Sequence, residues 1–126
     1  MQQAKYVRIY SDEAGESHFE DLEISLVPMD FAPPAAPMNI AQFQPATQTL
    51  WAGVHAGWAG EAFHPVPRRI IFCVVQGEAE VTASDGIVRA FPVGSVILFE
   101  DTTGKGHSTR TTSQGDVLAF AVVLAD

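Results

Sequence analysis

His107 stands directly behind a loop with two glycines, Glu100-Asp101-Thr102-Thr103-Gly104-Lys105-Gly106. An imidazole changes charge near neutral pH, so it can take a proton from a bound molecule or give one to it. Glycines at this spacing let the loop turn sharply and bring backbone close to a ligand. The apolar run Ser95–Phe99 before the loop is long enough for one strand. The polar run His107–Thr112 after it suits another. A histidine that opens a strand behind such a loop is well placed at the mouth of a barrel. Asp101 either orients His107 or caps the loop through its own backbone, and Thr102 and Thr103 have the same two uses. Lys105 offers an amine between two glycines, the type of group that forms Schiff bases. Cys73 lies inside the apolar run Ile70–Val75, with no helix start or basic partner nearby. It reads as a small core residue and not as a reactive thiol.

The elements that must position these groups read as strands throughout. Tyr6–Tyr10 and His18–Leu26 alternate and are separated by the turn residues Ser11–Ser17. His18 reads as a hairpin histidine. Pro28–Pro45 carries five prolines, which exclude helix and confine any strand to an edge. Its apolar residues Phe31, Met38, Ile40 and Phe43 predict an extended strap packed on the domain. Thr47–Trp58 has strict parity, with Trp51, Gly53, His55 and Gly57 on one face and Leu50, Ala52, Val54, Ala56 and Trp58 on the other. Ala59–Arg69 reads as a loop. Ile70–Val75 is apolar on both faces and needs cover on both. Ala79–Ala83 and Ile87–Phe91 flank Ser84-Asp85-Gly86, and Asp-Gly is a strong hairpin turn. Thr109–Thr112 and Val117–Leu124 read as a closing hairpin. No stretch shows helical periodicity with caps, so the expected class is an all-β sandwich or barrel.

The 126 residues suffice for one domain with its own core, and an apolar fraction of 47% with 17% charged residues marks it as globular. Residues 1–49 form its N-terminal strands and proline-rich strap. A net charge of −8 argues against nucleic acid and against an anionic membrane surface as partners. A single cysteine allows no internal disulfide. The first residues lack an apolar run of signal-peptide length, and no run approaches membrane-spanning length. A cytoplasmic location is expected.

The order of parts from Leu50 to Leu124 resembles a single-domain cupin, a small double-stranded β-helix or jelly roll. The likeness rests on the histidine loop, on the strand ending Val74-Val75-Gln76-Gly77-Glu78, and on Phe91-Pro92-Val93-Gly94 leading to His107. The run Asp101–His107, together with His64-Pro65-Val66-Pro67-Arg68-Arg69, further resembles a sub-group of small cupin-like proteins. The resemblance implies a metal held by three histidines and a glutamate. His107 matches the last histidine and His64 falls near the first. The second histidine position is Val66, and the glutamate position ahead of Gly77 is Ile70.

Two imidazoles alone hold a metal weakly, because catalytic sites usually supply three protein ligands. His55 is the best third candidate by parity, ahead of Glu61 and Asp101. The tentative metal set is therefore His64, His107 and His55, for one divalent ion such as Zn, Fe, Ni or Mn. Without metal, the same histidines can move a proton across a small substrate. Arg68 or Arg69 at the rim would then neutralise a carboxylate or an enolate. Trp51, Trp58, Phe63 and Phe72 would wall the pocket. The first functional reading is a small-molecule enzyme, an isomerase, cyclase or lyase acting on a carbonyl or aromatic substrate. A metal-dependent oxygenase and a non-enzymatic binding or sensing module are the alternatives. A homodimer is expected, since small jelly rolls have open edges and Ile70–Val75 needs cover, from Tyr6–Tyr10 of its own or a second chain.

Overall fold

A computed structural model describes residues 2–126 as strands and turns, with no helix among the described residues. The strands are β1 (Gln3–Ser11), β2 (Ser17–Ser25), β3 (Val27–Met29), β4 (Met38–Ile40), β5 (Ala46–Val54), β6 (Ala59–His64), β7 (Ile70–Gln76), β8 (Ala79–Ala83), β9 (Val88–Phe91), β10 (Val96–Glu100), β11 (His107–Thr111) and β12 (Val117–Leu124). Six of them form one sheet in the order β2-β1-β10-β7-β12-β5. Four form a second, β6-β11-β8-β9, and β3 pairs only with β4 among the described residues. The two larger sheets face each other as a jelly roll. Pairing is antiparallel apart from β1 against β10.

Alternation along each strand fixes which side chains meet between the sheets. In β12, Val117, Ala119, Ala121 and Val123 point inward and are buried, with half-buried residues between them. In β8 the inward set is Ala79, Val81 and Ala83. Ile9, Ile70, Val74, Ile97, Phe99 and Phe91 complete the core. The Asp-Gly turn forms as the sequence implies. Gly86 takes a φ of 92°, and Ala83 N–H donates to the Ile87 carbonyl at 2.9 Å.

Four expectations need correction. Thr109–Thr112 and Val117–Leu124 are not a hairpin: β11 pairs with β6 and β8, while β12 pairs with β5 and β7 in the other sheet. Both are regular strands with a turn between them, and their pattern cannot say which partner each takes. Ala59–Arg69 is not all loop, because its first half is β6. Within the chain, the N-terminal strand does not cover Ile70–Val75. Strand β7 lies between β10 and β12, and β1 sits one strand further out, on β10. The strap is extended but not packed down. Phe31, Met38 and Phe43 are exposed, and Phe31 stacks edge-on against Phe43 at 6.1 Å.

Candidate functional site

One end of the barrel is filled and the other is hollow. Large residues, among them Ile9, Phe19 and Phe91, fill the core toward one side. On the other side the walls carry Ala52, Gly53, Ala79 and Ala119, and these small residues leave a cavity of about 330 Å³. That volume lies at the lower end of the range for small-molecule sites. Phe72, Trp58 and Phe99 supply aromatic wall, Trp58 also carrying an indole N–H, and His64, His107 and Thr109 are the other polar residues that line it.

Backbone register brings the two histidines together. His107 is the first residue of β11 and pairs with His64, the last of β6, and with Ala83 of β8. The imidazole centroids are 5.1 Å apart and tilted by 53°. This approach depends on Gly106. Its φ is +74°, and a Cβ there would lie 2.0 Å from the carbonyl carbon and oxygen of His64. Gly104 is pressed in the same way against Gly15 in the β1–β2 turn. The glycine loop does bring backbone close, but to the protein's own chain and not to a ligand.

His107 is 5% exposed and stacks on Phe99 with centroids 4.8 Å apart. Its Nδ1 lies 2.5 Å from Oδ2 of Asp101, which has no exposed surface. A carboxylate accepts, so Nδ1 carries the hydrogen and Nε2 keeps the lone pair of the neutral ring. His64 has the same arrangement: Nδ1 donates to the Pro65 carbonyl at 3.0 Å, leaving Nε2 free. The backbone carbonyl of Asp101 accepts from Val66 N–H at 3.1 Å and ties the loop to the segment behind His64. The other carboxylate oxygen of Asp101 is buried with no hydrogen-bond partner among the described residues. This carboxylate therefore has one imidazole as its side-chain partner, and it stands buried behind the ring that faces the cavity.

The remaining candidates divide between the site and its surroundings. Trp58 and Phe72 line the cavity. Trp51 faces away from it, 64% exposed, and meets Phe120 at 5.0 Å on the outer side of the six-stranded sheet. Phe63 is also exposed and off the wall. His55 lies in the β5–β6 turn, its Nδ1 donating to the Ala56 carbonyl at 3.0 Å, and it does not reach the cavity. Strand β5 ends at Val54, so parity no longer governs His55. Arg69 donates to Glu100 at 2.7 Å, and Glu100 also accepts from Arg8 at 2.7 Å. Neither guanidinium is on the cavity wall. Lys105 is paired with Glu16 at 2.8 Å, which raises its pKa and lowers that of Glu16.

One residue of the scaffold carries no sequence signal. Ser17 has no exposed surface, and its hydroxyl donates to the Gly106 carbonyl at 2.7 Å. The same oxygen accepts from Ser84 N–H at 2.7 Å. One side chain thus joins the first hairpin, the β8–β9 turn and the residue before His107. A serine after a turn is too common for its composition to announce this.

The chain matches no protein-family model and no curated protein. Among solved structures it is similar to the cupin domain of Schizosaccharomyces pombe Cnp3, with a TM-score of 0.53 and 15% identity over 98% of this chain and 84% of that one. The fold is a cupin. The likeness shows the fold alone and does not test the narrower group that shares the Asp101–His107 loop. Cupins commonly hold a metal, and the residues here can be tested against one. Val66 and Ile70 stand where the second histidine and the glutamate would be, and both are buried in the core. Asp101 is turned to Nδ1 of His107. No three His, Cys, Asp or Glu side chains converge on a common point among the described residues. Two imidazoles do not make up the donor set of a resident divalent ion. In this cupin barrel the sequence-level metal set of His64, His107 and His55 reduces to its first two members.

Proposed function

We propose that the protein catalyses proton transfer on a small carbonyl compound. The observation that carries this reading is the buried Asp101–His107 pair opening beside His64 onto an apolar cavity. His107 Nε2 takes a proton from carbon next to the carbonyl. The electron pair of that C–H bond moves into the enol double bond. The carbonyl oxygen receives its proton from Nε2 of His64 in its charged form. Asp101 holds His107 in the tautomer that leaves Nε2 basic and stabilises the imidazolium that results. Nε2 of His64 takes back the enol O–H proton as the carbonyl re-forms, and delivery of the His107 proton to a different carbon completes an isomerisation. Alternatively, Nε2 of His64 takes back the enol O–H proton while a group on the next carbon leaves with its bonding electron pair and the proton held on His107, which completes an elimination.

Hydrogen exchange tests this with any panel of simple carbonyl compounds, whatever the natural substrate. Small aldehydes and ketones are incubated in D₂O with the protein, and loss of the α-proton signal is followed by NMR. Protein-dependent exchange is expected for at least one of them, unchanged by a metal chelator and abolished in His107→Ala. Equal exchange in wild type and His107→Ala for every compound would end the proposal.

A further inference from the structure

Among the described residues the cavity wall carries no lysine, arginine or carboxylate, and this limits what it can hold. The chain has seven Lys and Arg residues. Arg8 and Arg69 share Glu100, Arg89 holds Asp21 at 2.8 Å, Lys105 holds Glu16 and Arg110 holds Glu80 at 2.8 Å. Arg68 donates to the Thr47 hydroxyl, and Lys5 lies on a separate surface groove. None of the seven reaches the cavity. Asp101, the nearest carboxylate, is behind His107. The wall residues whose side chains carry a polar atom are His64 and His107, Thr109 two residues along β11, and Trp58 with its indole N–H.

From this we infer that the site takes an uncharged ligand: an apolar body with one carbonyl or hydroxyl head set between His64 and His107. The inference rests on the proposed reading of the site and names its substrate class. A carboxylate placed here would give up its water to face apolar wall, with no guanidinium or ammonium to replace it and only the His64 ring, in the charged form the proposed step uses, as a partner. The chain's net charge of −8 adds repulsion on approach. A cation would meet the same desolvation with no anion on the wall. A neutral carbonyl loses far less: the charged form of His64 donates to its oxygen through Nε2, and a hydroxyl head donates to the Nε2 lone pair of either neutral ring. The rim arginine expected from the sequence would have made this an acid-binding pocket. Glu100 removes it by holding Arg69 elsewhere.

Matched pairs of equal skeleton decide the point, each a methyl ketone and its carboxylate. The series runs from butanone and propionate to 4-phenyl-2-butanone and 3-phenylpropionate. Binding is read from the NMR shifts of the His64 and His107 ring protons, which needs no turnover. Within the pair that binds best, the ketone is expected to bind at least about tenfold more tightly. Ala119→Leu, which fills the cavity from the opposite sheet, is expected to abolish ketone binding while leaving the strand signals in place. Equal or tighter binding of the carboxylate overturns the inference. So does failure of every ketone to bind, or ketone binding that survives Ala119→Leu. A ketone that binds in the cavity but exchanges no proton removes the catalytic reading and leaves this one standing.

Discussion

The Asp101 carboxylate accepts from His107 Nδ1 at 2.5 Å, with no surface of Asp101 exposed to solvent. The pair spans only six positions of chain, yet the loop between them is anchored to two other elements, at Gly15 and His64. Asp101→Asn keeps the shape and removes the charge. The imidazolium that forms on proton transfer then has no counter-ion. Should the amide nitrogen face the ring, the tautomer reverses and Nε2 becomes a donor. Exchange of α-protons is expected to fall by about 10²–10⁴-fold, with strand content retained by circular dichroism. Undiminished exchange in this variant would show that Asp101 merely caps its loop.

Gly106 is the tightest point of the site. A methyl group there meets the backbone of His64, which cannot step aside without breaking the β6–β11 ladder. The positive φ adds its own strain. Gly106→Ala is expected to cost at least about 3 kcal/mol in urea unfolding, or to prevent folding outright. Gly86→Ala is the control. It has a similar φ but nothing within 4 Å, and is expected to cost about 1 kcal/mol. Equal losses would mean that contact with His64 is not what sets the position.

Much of the fold was readable from local pattern, and the failures share one cause. Alternation in Tyr6–Tyr10, the continuous apolar run Ile70–Val75 and the Asp-Gly turn inside Ala79–Phe91 are local signals, and they correspond to β1, β7 and the β8–β9 hairpin. Which strands pair is not local. Val117–Leu124 looks like the second arm of a hairpin, yet it joins β5 and β7 because its four inward residues complete the core of the opposite sheet. In the site, His64 and His107 were legible through the family pattern, and the register pairs them directly. His55 and Arg69 were not separable from site residues by type or parity. A strand that stops at Val54 and a competing carboxylate at Glu100 decide their positions, and neither shows in a linear reading. The phenyl groups of the strap mislead for the opposite reason. Apolar type predicts burial on average, and Phe31 and Phe43 are exposed.

Ser17 holds the site from a distance of 89 residues along the chain. Ser17→Ala leaves the Gly106 carbonyl and the Ser84 N–H without the partners they have now, both close to buried core. A loss of about 1–3 kcal/mol is expected in chemical denaturation. The Asp101–His107 hydrogen bond should weaken as well, visible as an upfield move of the His107 Nδ1 proton in NMR. Loss of stability with that proton unmoved would confine Ser17 to the scaffold.

The homodimer expected from the sequence can be tested at β5, an edge strand of the six-stranded sheet. Leu50 and Trp51 are exposed there, and the strap adds exposed Phe31, Met38 and Phe43. Strand edges and apolar faces of this kind associate unless something blunts them. Light scattering at micromolar concentration is expected to report a dimer. Trp51→Arg should shift it toward monomer without loss of strand signal. A wild-type monomer, or a dimer indifferent to this change, would place any contact elsewhere.

Stability should fall with rising pH through one histidine outside the site. His18 lies 2.7 Å from Asp12 and 2.9 Å from Asp85, and so joins the first hairpin to the β8–β9 turn. The hydrogen bond to Asp12, then that to Asp85, raises its pKa above the ordinary 6.5. A group held in its charged form by folding contributes stability that is complete below 6.5 and lost as pH climbs through the raised value. Asp12 is held below its ordinary 3.8, first by His18, so its share is lost only as pH falls through that lowered value. Between those limits the latch is at full strength. His18→Gln removes the titration while keeping a polar side chain. The difference in melting temperature between wild type and His18→Gln should be largest below pH 6.5 and shrink as pH rises through the raised value. A difference that does not change with pH would mean that His18 contributes by packing against Tyr10, 5.8 Å away, and not by charge.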